Sequence, residues 1–310
     1  MTSVSNDVFL PLYNELKKCV KSDIYLNEPM ARHTTFKVGG PAALFTIVNS
    51  LQELRSTLLL SKKSGIPFLV VGRGSNLLVS DNGFRGIVVR LGNYFSRINI
   101  DNNFVQAGAA VSLPTLIRET YKEGFKSLAF TVGIPGTLGG AIRMNAGAYG
   151  ECFGNILSKV TVYTPEAQFT SFSHSEIEFG YRSSSLRDKG VILEATLKLE
   201  KGDPKLIKLQ MERYFKARKD SQPLNTANAG SIFKNPSKNF AGKIIEDAGC
   251  KGWQEGNAVV SEKHANFIVN QGGAKASDIY NLMQKVQERV QEKKKILLEP
   301  EITLIGNFES

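Results

Sequence analysis

Residues 66–79 read IPFLVVGRGSNLLV. An apolar run ending at Val71 enters a turn built on Gly72 and Gly74, then leaves as a second apolar run, Leu77 to Val79. The spacing predicts a buried strand that delivers the chain into a glycine loop. Glycines there let successive backbone N–H groups converge on an anion, and Ser75 and Asn76 add side-chain hydrogen bonds. That suits the pyrophosphate of a nucleotide. The turn is neither of the commonest phosphate loops, because no Gly-Lys-Ser/Thr follows and Leu77 stands where a G-x-G-x-x-G turn needs its third glycine. A P-loop enzyme and a classical nicotinamide dehydrogenase are both disfavoured.

Working outward, Ser50-Leu51-Gln52-Glu53 has the form of a capping box opening a helix, with Leu51, Leu54 and Leu58 on one face and Gly65 at its end. Downstream, GIVVRL and NNFVQAGA read as a second unit of strands, and Ser112 caps a helix carrying Leu113, Leu116, Ile117 and Tyr121, closed by Gly124. A second loop, GIPGTLGGAIRMNAGAYG at 133–150, is too rich in glycine to predict either regular element. Strands follow through KVTVYT and GVILEATLKL. Asp203-Pro204 is a cap and first-turn pair for a new helix, which puts a boundary near residue 200. Beyond it come a loop around Ser231, a short helix at 241–248, strands around GNAVVS and NFIVN, a helix with Ile279, Leu282, Met283, Val286 and Val290 on one face, and a last strand, EITLIG. The pattern is α+β.

Apolar and charged fractions of 42% and 22% are those of an ordinary globular protein. No stretch approaches the ~20 apolar residues of a membrane helix, and the N-terminal residues lack the basic-then-apolar order of a leader, so a cytoplasmic location is expected. Cys19, Cys152 and Cys250 are too far apart for a disulfide framework or a zinc site, and no metal is expected. Lysine plus arginine, 39, exceeds aspartate plus glutamate, 29, giving a net charge of +10. The cations are dispersed, and the densest run, Lys293 to Lys295, closes a helix where cations suit the macrodipole. That reads as a solvated surface, with neither nucleic acid nor membrane as partner.

Ser231 lies in NAGSIFKNP, where Phe233 replaces the second glycine of a G-x-S-x-G nucleophile elbow. His33, His174 and His264 are the chain's histidines, and none falls in a triad order. Alone, Ser231 reads as a turn residue capping nearby backbone. The order of segments changes that: TTFKVGGPA, VGRGSNLLVSD, GIPGTLGGAIRMNAGAYGE, FGYRSSSL, AGSIFKNP, IIEDAGCKG, HANFIVN and LEPEITLIG together closely resemble the UDP-N-acetylenolpyruvoylglucosamine reductase family, from about Ala31 to Gly306. The resemblance implies a two-lobed FAD-binding region of the vanillyl-alcohol-oxidase type, residues 1–80 and 81–200, and a smaller α+β substrate-binding domain, 201–310. It implies noncovalent FAD wrapped by Gly72, Gly74, Ser75, Asn76 and Leu77 and by Gly133, Pro135, Gly136, Thr137, Gly139 and Gly140, with Asn145, Gly147 and Ala148 beside them. His33 is then a packed residue near a turn rather than a flavin attachment point.

The implied reaction is the reduction of UDP-N-acetylglucosamine enolpyruvate to UDP-N-acetylmuramate, with NADPH as hydride donor and the two partners alternating at one flavin face. Hydride arriving at C3 pushes charge onto C2 and the carboxylate, so the site needs a fixed cation, a partner near the developing charge and a proton donor at C2. By resemblance these are Arg182, Glu301 and Ser231; spacing alone leaves Glu299 and Glu301 open, since residues two apart in an extended segment share a face. Asn235 and His264 match positions that touch the nucleotide-sugar in relatives, and Tyr181, beside Arg182, is expected to bind substrate with them. Ser221 stands where some relatives carry a phosphate-contacting lysine, leaving Lys216, Arg218 or Lys219 to supply that charge. The segment SSSLRDKGVILEA is too short for the tyrosine-bearing loop of the family's other form. The chain is expected to act as a monomer. A rival reading, another oxidoreductase of the same flavin fold acting on a sugar or alcohol, would lack the joint Arg182, Ser231 and Glu301 pattern. A nucleotide- or nucleic-acid-binding protein would be colourless and salt-sensitive in its binding.

Overall fold

The computed structural model describes residues 6–166, 168–237 and 239–308. The first five residues, on which part of the leader reading rests, lie outside them. In chain order α1 (Asn6–Cys19), β1 (Ile24–Pro29), β2 (Pro41–Val48), α2 (Leu51–Ser64), β3 (Phe68–Val71), β4 (Leu77–Val79) and β5 (Phe84–Leu91) build the first lobe. Its sheet runs β1-β2-β5-β3, with β2, β5 and β3 parallel. Parallel strands need covered faces. Leu12 and Leu16 of α1 and Leu54 of α2 bury one face against Leu44, Ile87 and Val89. The Ser50 hydroxyl accepts from the Glu53 amide at 3.1 Å, and Gly65 ends α2 at φ +64°. The Glu53 carboxylate closes on Asn49 N–H at 2.6 Å and Lys21 N–H at 3.0 Å instead of Ser50, so it ties α2 to the segment before β1.

The second lobe comprises β6 (Ile98–Asp101), β7 (Phe104–Gly108), α3 (Leu113–Lys122), α4 (Leu138–Arg143), the hairpin β8 (Gly147–Ala148) and β9 (Glu151–Cys152), β10 (Leu157–Tyr163), β11 (Phe169–Ser173), the hairpin β12 (Phe179–Gly180) and β13 (Ser183–Ser184), and β14 (Val191–Lys198). Its sheet is antiparallel, ordered β11-β10-β14-β7-β6. Two expectations are corrected here. The strand GIVVRL belongs to the first sheet, because β5 lies between β2 and β3, so that sheet runs past residue 80 to Leu91. The glycine-rich stretch is not irregular throughout, since α4 and β8 form within it. Gly139 explains α4: a Cβ there would come within 2.8 Å of Ala109 Cβ, so the glycine lets the helix sit against the end of β7 while Leu138, Ala141 and Ile142 bury themselves.

The third unit contains α5 (Pro204–Ser221), α6 (Ala241–Asp247), β15 (Gln254–Glu255), β16 (Ala258–Val260), β17 (Ile268–Asn270), α7 (Ala276–Lys294) and β18 (Thr303–Ile305). Asp203 caps α5, accepting from Lys205 N–H at 2.8 Å. The face of α7 read from its periodicity is the buried one, and each such side chain stabilises by about 1.5–3 kcal/mol. This core is continuous with the first lobe: Phe36, Val38 and Leu78 pack among its residues. The Asp81 carboxylate accepts from the first α7 amides, Ala276 at 2.8 Å and Ser277 at 2.9 Å. Strand β18 returns to pair in parallel with β4, Thr303 opposite Leu77. The last strand is therefore stitched to the outgoing edge of the first glycine loop.

Candidate active site

The glycine loops of the two lobes meet. A Cβ on Gly72 would lie 2.6 Å from the Thr137 hydroxyl, and one on Gly136 would lie 3.7 Å from the Ser75 hydroxyl. Gly74 needs to be glycine twice over, for its φ of +63° and because a Cβ would strike the His33 carbonyl at 2.1 Å. Among the described residues, the amides of Arg73, Gly74, Ser75 and Asn76 donate to no protein acceptor. Consecutive free donors facing a second glycine loop form an anion cradle, and this fits the diphosphate of FAD.

Arg182 sits at the tip of the β12–β13 hairpin with φ +56°, a left-handed conformation that costs a non-glycine residue roughly 1–2 kcal/mol. Asn145, buried and itself at φ +42°, holds the hairpin. Its amide donates to Gly180 O at 2.9 Å and its carbonyl accepts from Gly154 N–H at 2.9 Å. Arg182 Nε donates to Glu301 Oε1 at 2.7 Å and Nη1 to the Gly147 carbonyl at 3.0 Å. Tyr181, half exposed, lies with its ring 5.2 Å from the guanidinium.

Glu301 is held from three sides. Its amide donates to Ile232 O at 2.7 Å, its carbonyl accepts from Asn76 Nδ2 at 3.2 Å, and its carboxylate meets Arg182. Burial pushes its carboxyl above the usual range, against the opposing pull of Arg182 and Lys234. Geometry also separates the two glutamates: the Glu301 side chain is 14% exposed, whereas Glu299 is 70% exposed and pairs with Lys234 at 3.2 Å.

Ser231 follows Gly230, which adopts φ +78°, in a turn stapled by Asn228, whose carbonyl accepts from Gly230 N–H at 2.9 Å. The loop is clamped below by Asn266, whose side chain donates to Phe233 O at 2.8 Å and accepts from Phe233 N–H at 2.9 Å. An antiparallel bridge sets Phe233 opposite Pro300, which brings the Ser231 and Glu301 segments side by side. Among the described residues the half-buried Ser231 hydroxyl makes no hydrogen bond to a backbone group.

The remaining expected residues divide. Asn235, exposed, commits its carbonyl to Ala241 N–H at 3.0 Å. His264 accepts from Asn266 N–H through Nδ1 at 3.2 Å, rests against Gly242, and is held neutral by burial. Of the three cations, Lys216 and Lys219 are exposed, whereas Arg218 runs beside Gly133, where a Cβ would be 3.0 Å from its Cδ. The Arg218 Nε is buried without a partner while Nη1 donates to Gln222 Oε1 at 3.5 Å, and burial lowers the guanidinium's proton affinity against the opposing pull of Tyr149, with nearby Arg182 adding to the lowering. Tyr149, which sequence reasoning did not single out, stacks on Tyr214 at 3.9 Å and presents its ring 5.8 Å from Arg218. Its place in NAGAYG, two residues from Gly147, was the available signal. Among the described residues no group of three or more His, Cys, Asp or Glu could hold a metal, and no helix is long and apolar enough to cross a membrane.

A paired guanidinium, a carboxylate, a free hydroxyl and a second guanidinium without a carboxylate partner among the described residues thus stand beside an FAD cradle. The model of the UDP-N-acetylenolpyruvoylglucosamine reductase C-terminal domain matches residues 222–305, and that of an FAD binding domain matches residues 42–173. A UDP-N-acetylenolpyruvoylglucosamine reductase of Bacillus licheniformis is 41% identical over 94% of this chain and 97% of its own length. This chain belongs to the UDP-N-acetylenolpyruvoylglucosamine reductase family. The reductase of Caldanaerobacter subterraneus is 42% identical over 95% of this chain and 98% of its own length. The crystal structure of the Thermus caldophilus reductase superposes with a TM-score of 0.80 at 35% identity, covering 92% of this chain and 99% of that one. The α+β architecture expected from sequence is the family's, and FAD is its cofactor.

Proposed function

We propose that this chain is the NADPH-dependent flavoenzyme that reduces UDP-N-acetylglucosamine enolpyruvate to UDP-N-acetylmuramate in peptidoglycan precursor synthesis. The observation that carries the reading is the 2.7 Å pair of Arg182 and Glu301, held at the mouth of the cofactor loops by Asn76 and Gly147. FAD, when bound, supplies the relay of hydride from NADPH to C3 of the enolpyruvyl group. The protein's residues do the rest. Arg182 binds the enolpyruvyl carboxylate and stabilises the charge that develops there. Glu301 orients Arg182 and offers a polar group beside the same centre. Ser231, with its hydroxyl uncommitted, gives a proton to C2.

Arg218, whose Nε is buried without a partner beside Gly133, is the cation assigned to the sugar-nucleotide diphosphate in place of the lysine absent at Ser221. Tyr181, Asn235 and His264 line the approach on the substrate side, and the two glycine loops, residues 72–77 and 133–140, hold FAD with Asn145, Gly147 and Ala148 beside them. The first two sheets are assigned to cofactor binding and the third unit to substrate, in a cytoplasmic monomer. The test is product analysis in heavy water: holoenzyme, NADPH and the enolpyruvyl sugar nucleotide should give a lactyl ether with solvent deuterium at C2 and the NADPH-derived hydrogen at C3. Oxidation of NADPH with no change in the sugar nucleotide would sink the reading.

A further inference from the structure

His33 has two partners and one possible protonation state between them. Its Nδ1 lies 2.9 Å from Arg90 Nη2 and its Nε2 lies 3.0 Å from Glu28 Oε1. A guanidinium can only donate, so Nδ1 accepts, and Nε2 carries the hydrogen given to Glu28. The ring stacks on Phe45 at 4.1 Å, and the Arg90 guanidinium lies 5.6 Å from the same phenyl face. Arg90 Nε is buried with no partner, and among the described residues no carboxylate lies within ion-pair reach of Arg90. A half-buried cation whose buried Nε lacks a partner and whose hydrogen-bonded neighbour is a neutral imidazole is costly to keep without an anion to serve.

Its position supplies the reason. Arg90 pairs in register with Val71, the residue immediately before Gly72. The His33 carbonyl packs on Gly74, and Thr35 N–H donates to Gly74 O at 3.2 Å. The Glu28–His33–Arg90 relay therefore lies directly under the loop whose amides are free, with the cation of Arg73 close enough to depress that of Arg90.

We propose that Arg90, held in place by neutral His33, is a half-buried cationic support for the FAD diphosphate, and that protonation of His33 releases it. Protonated His33 has no acceptor for Arg90 and sets cation against cation. Glu28 from β1 favours that protonation, while Arg90 from β5, the preceding Arg32 and burial oppose it, and opposition prevails. The support is therefore intact at neutral pH and lost as pH falls through the lowered imidazole value. The inference rests on assigning residues 72–76 to the FAD diphosphate but not on the identity of the reduced substrate.

The test is the rate of FAD release from diluted holoenzyme, read by flavin fluorescence between about pH 7.5 and about pH 5. Wild type should release FAD several-fold faster at the acid end. R90M should release it at least roughly tenfold faster at neutral pH, as expected for loss of a charge-assisted contact, with the melting temperature of the FAD-free protein unchanged. R90K should recover part of the loss. H33Q, whose amide can accept from Arg90 and donate to Glu28, should hold FAD at neutral pH and lose the acid acceleration. Wild-type release rates in R90M, an H33Q profile as steep as wild type, or an R90M defect matched by an equal loss of apoprotein stability would each overturn the proposal. Wild-type protein that retains no FAD at any pH would instead sink the assignment of the cradle.

Discussion

Arg182 Nε and Glu301 Oε1 stand 2.7 Å apart although the residues are separated by 119 positions and belong to different units. The pair exists because two backbones are fixed independently: the Arg182 hairpin by Asn145 and Gly147, the Glu301 segment by Asn76 and Ile232. Both anchors of Glu301 lie on loops that also carry cofactor or substrate residues. A shift in any one reaches the reacting centre.

R182K should lower kcat for the enolpyruvyl substrate by about 10²–10³, the range for losing an oriented donor to developing charge, because an ammonium cannot span Glu301 and the substrate carboxylate together. Reduction of the bound flavin by NADPH should stay within a few-fold of wild type. Rapid-mixing absorbance separates the two half-reactions.

E301Q should lose activity, and its stability relative to wild type should rise between acid and neutral pH. Burial raises the carboxyl's folded value above its unfolded value of about 4.3, so folding favours the protonated acid. The contribution is complete below the unfolded value and fades as pH rises through the raised one. The stability of E301Q relative to wild type should therefore climb from acid to neutral pH in denaturant titrations; a constant difference contradicts this.

R218Q should raise KM for the sugar nucleotide by roughly 10–100-fold with kcat little changed, matching about 1.5–3 kcal/mol for a hydrogen bond to a charged group. The variant's affinity should also depend less on salt. Lys216 and Lys219, which are exposed, should tolerate substitution in the same steady-state assay.

N266A should destabilise the protein by about 1–3 kcal/mol, because the Phe233 amide and carbonyl would both lose buried partners. It should also lower kcat, since that clamp sets the Ser231 loop. Denaturant midpoint and turnover should fall together.

Sequence patterns gave the helices whose signals are local. Ser50, Gly65, Ser112 and Asp203 act at the positions expected, since a cap needs only its own turn. What depended on distant partners was harder to read. Glu53 closes on Lys21 and Asn49, α4 forms among glycines because Ala109 is beneath it, and β5 joins the first sheet through pairings with β2 and β3. The three residues proposed to react came from resemblance; spacing left Glu299 and Glu301 open, and the two differ in the structure by burial. Arg90 carried no local signature and Tyr149 only its place in NAGAYG, because an arginine in a strand and an aromatic in a turn gain their meaning from His33 and Arg218 across the fold.

The central claim is that Ser231 protonates C2, and an anaerobic comparison of S231A with wild type tests it most directly. NADPH should bleach the flavin absorbance equally fast in both proteins. Addition of the enolpyruvyl sugar nucleotide should then restore the colour rapidly in wild type and about 10²–10⁴-fold more slowly in S231A, the range for losing a positioned general acid. Recovery at the wild-type rate in S231A would contradict the account.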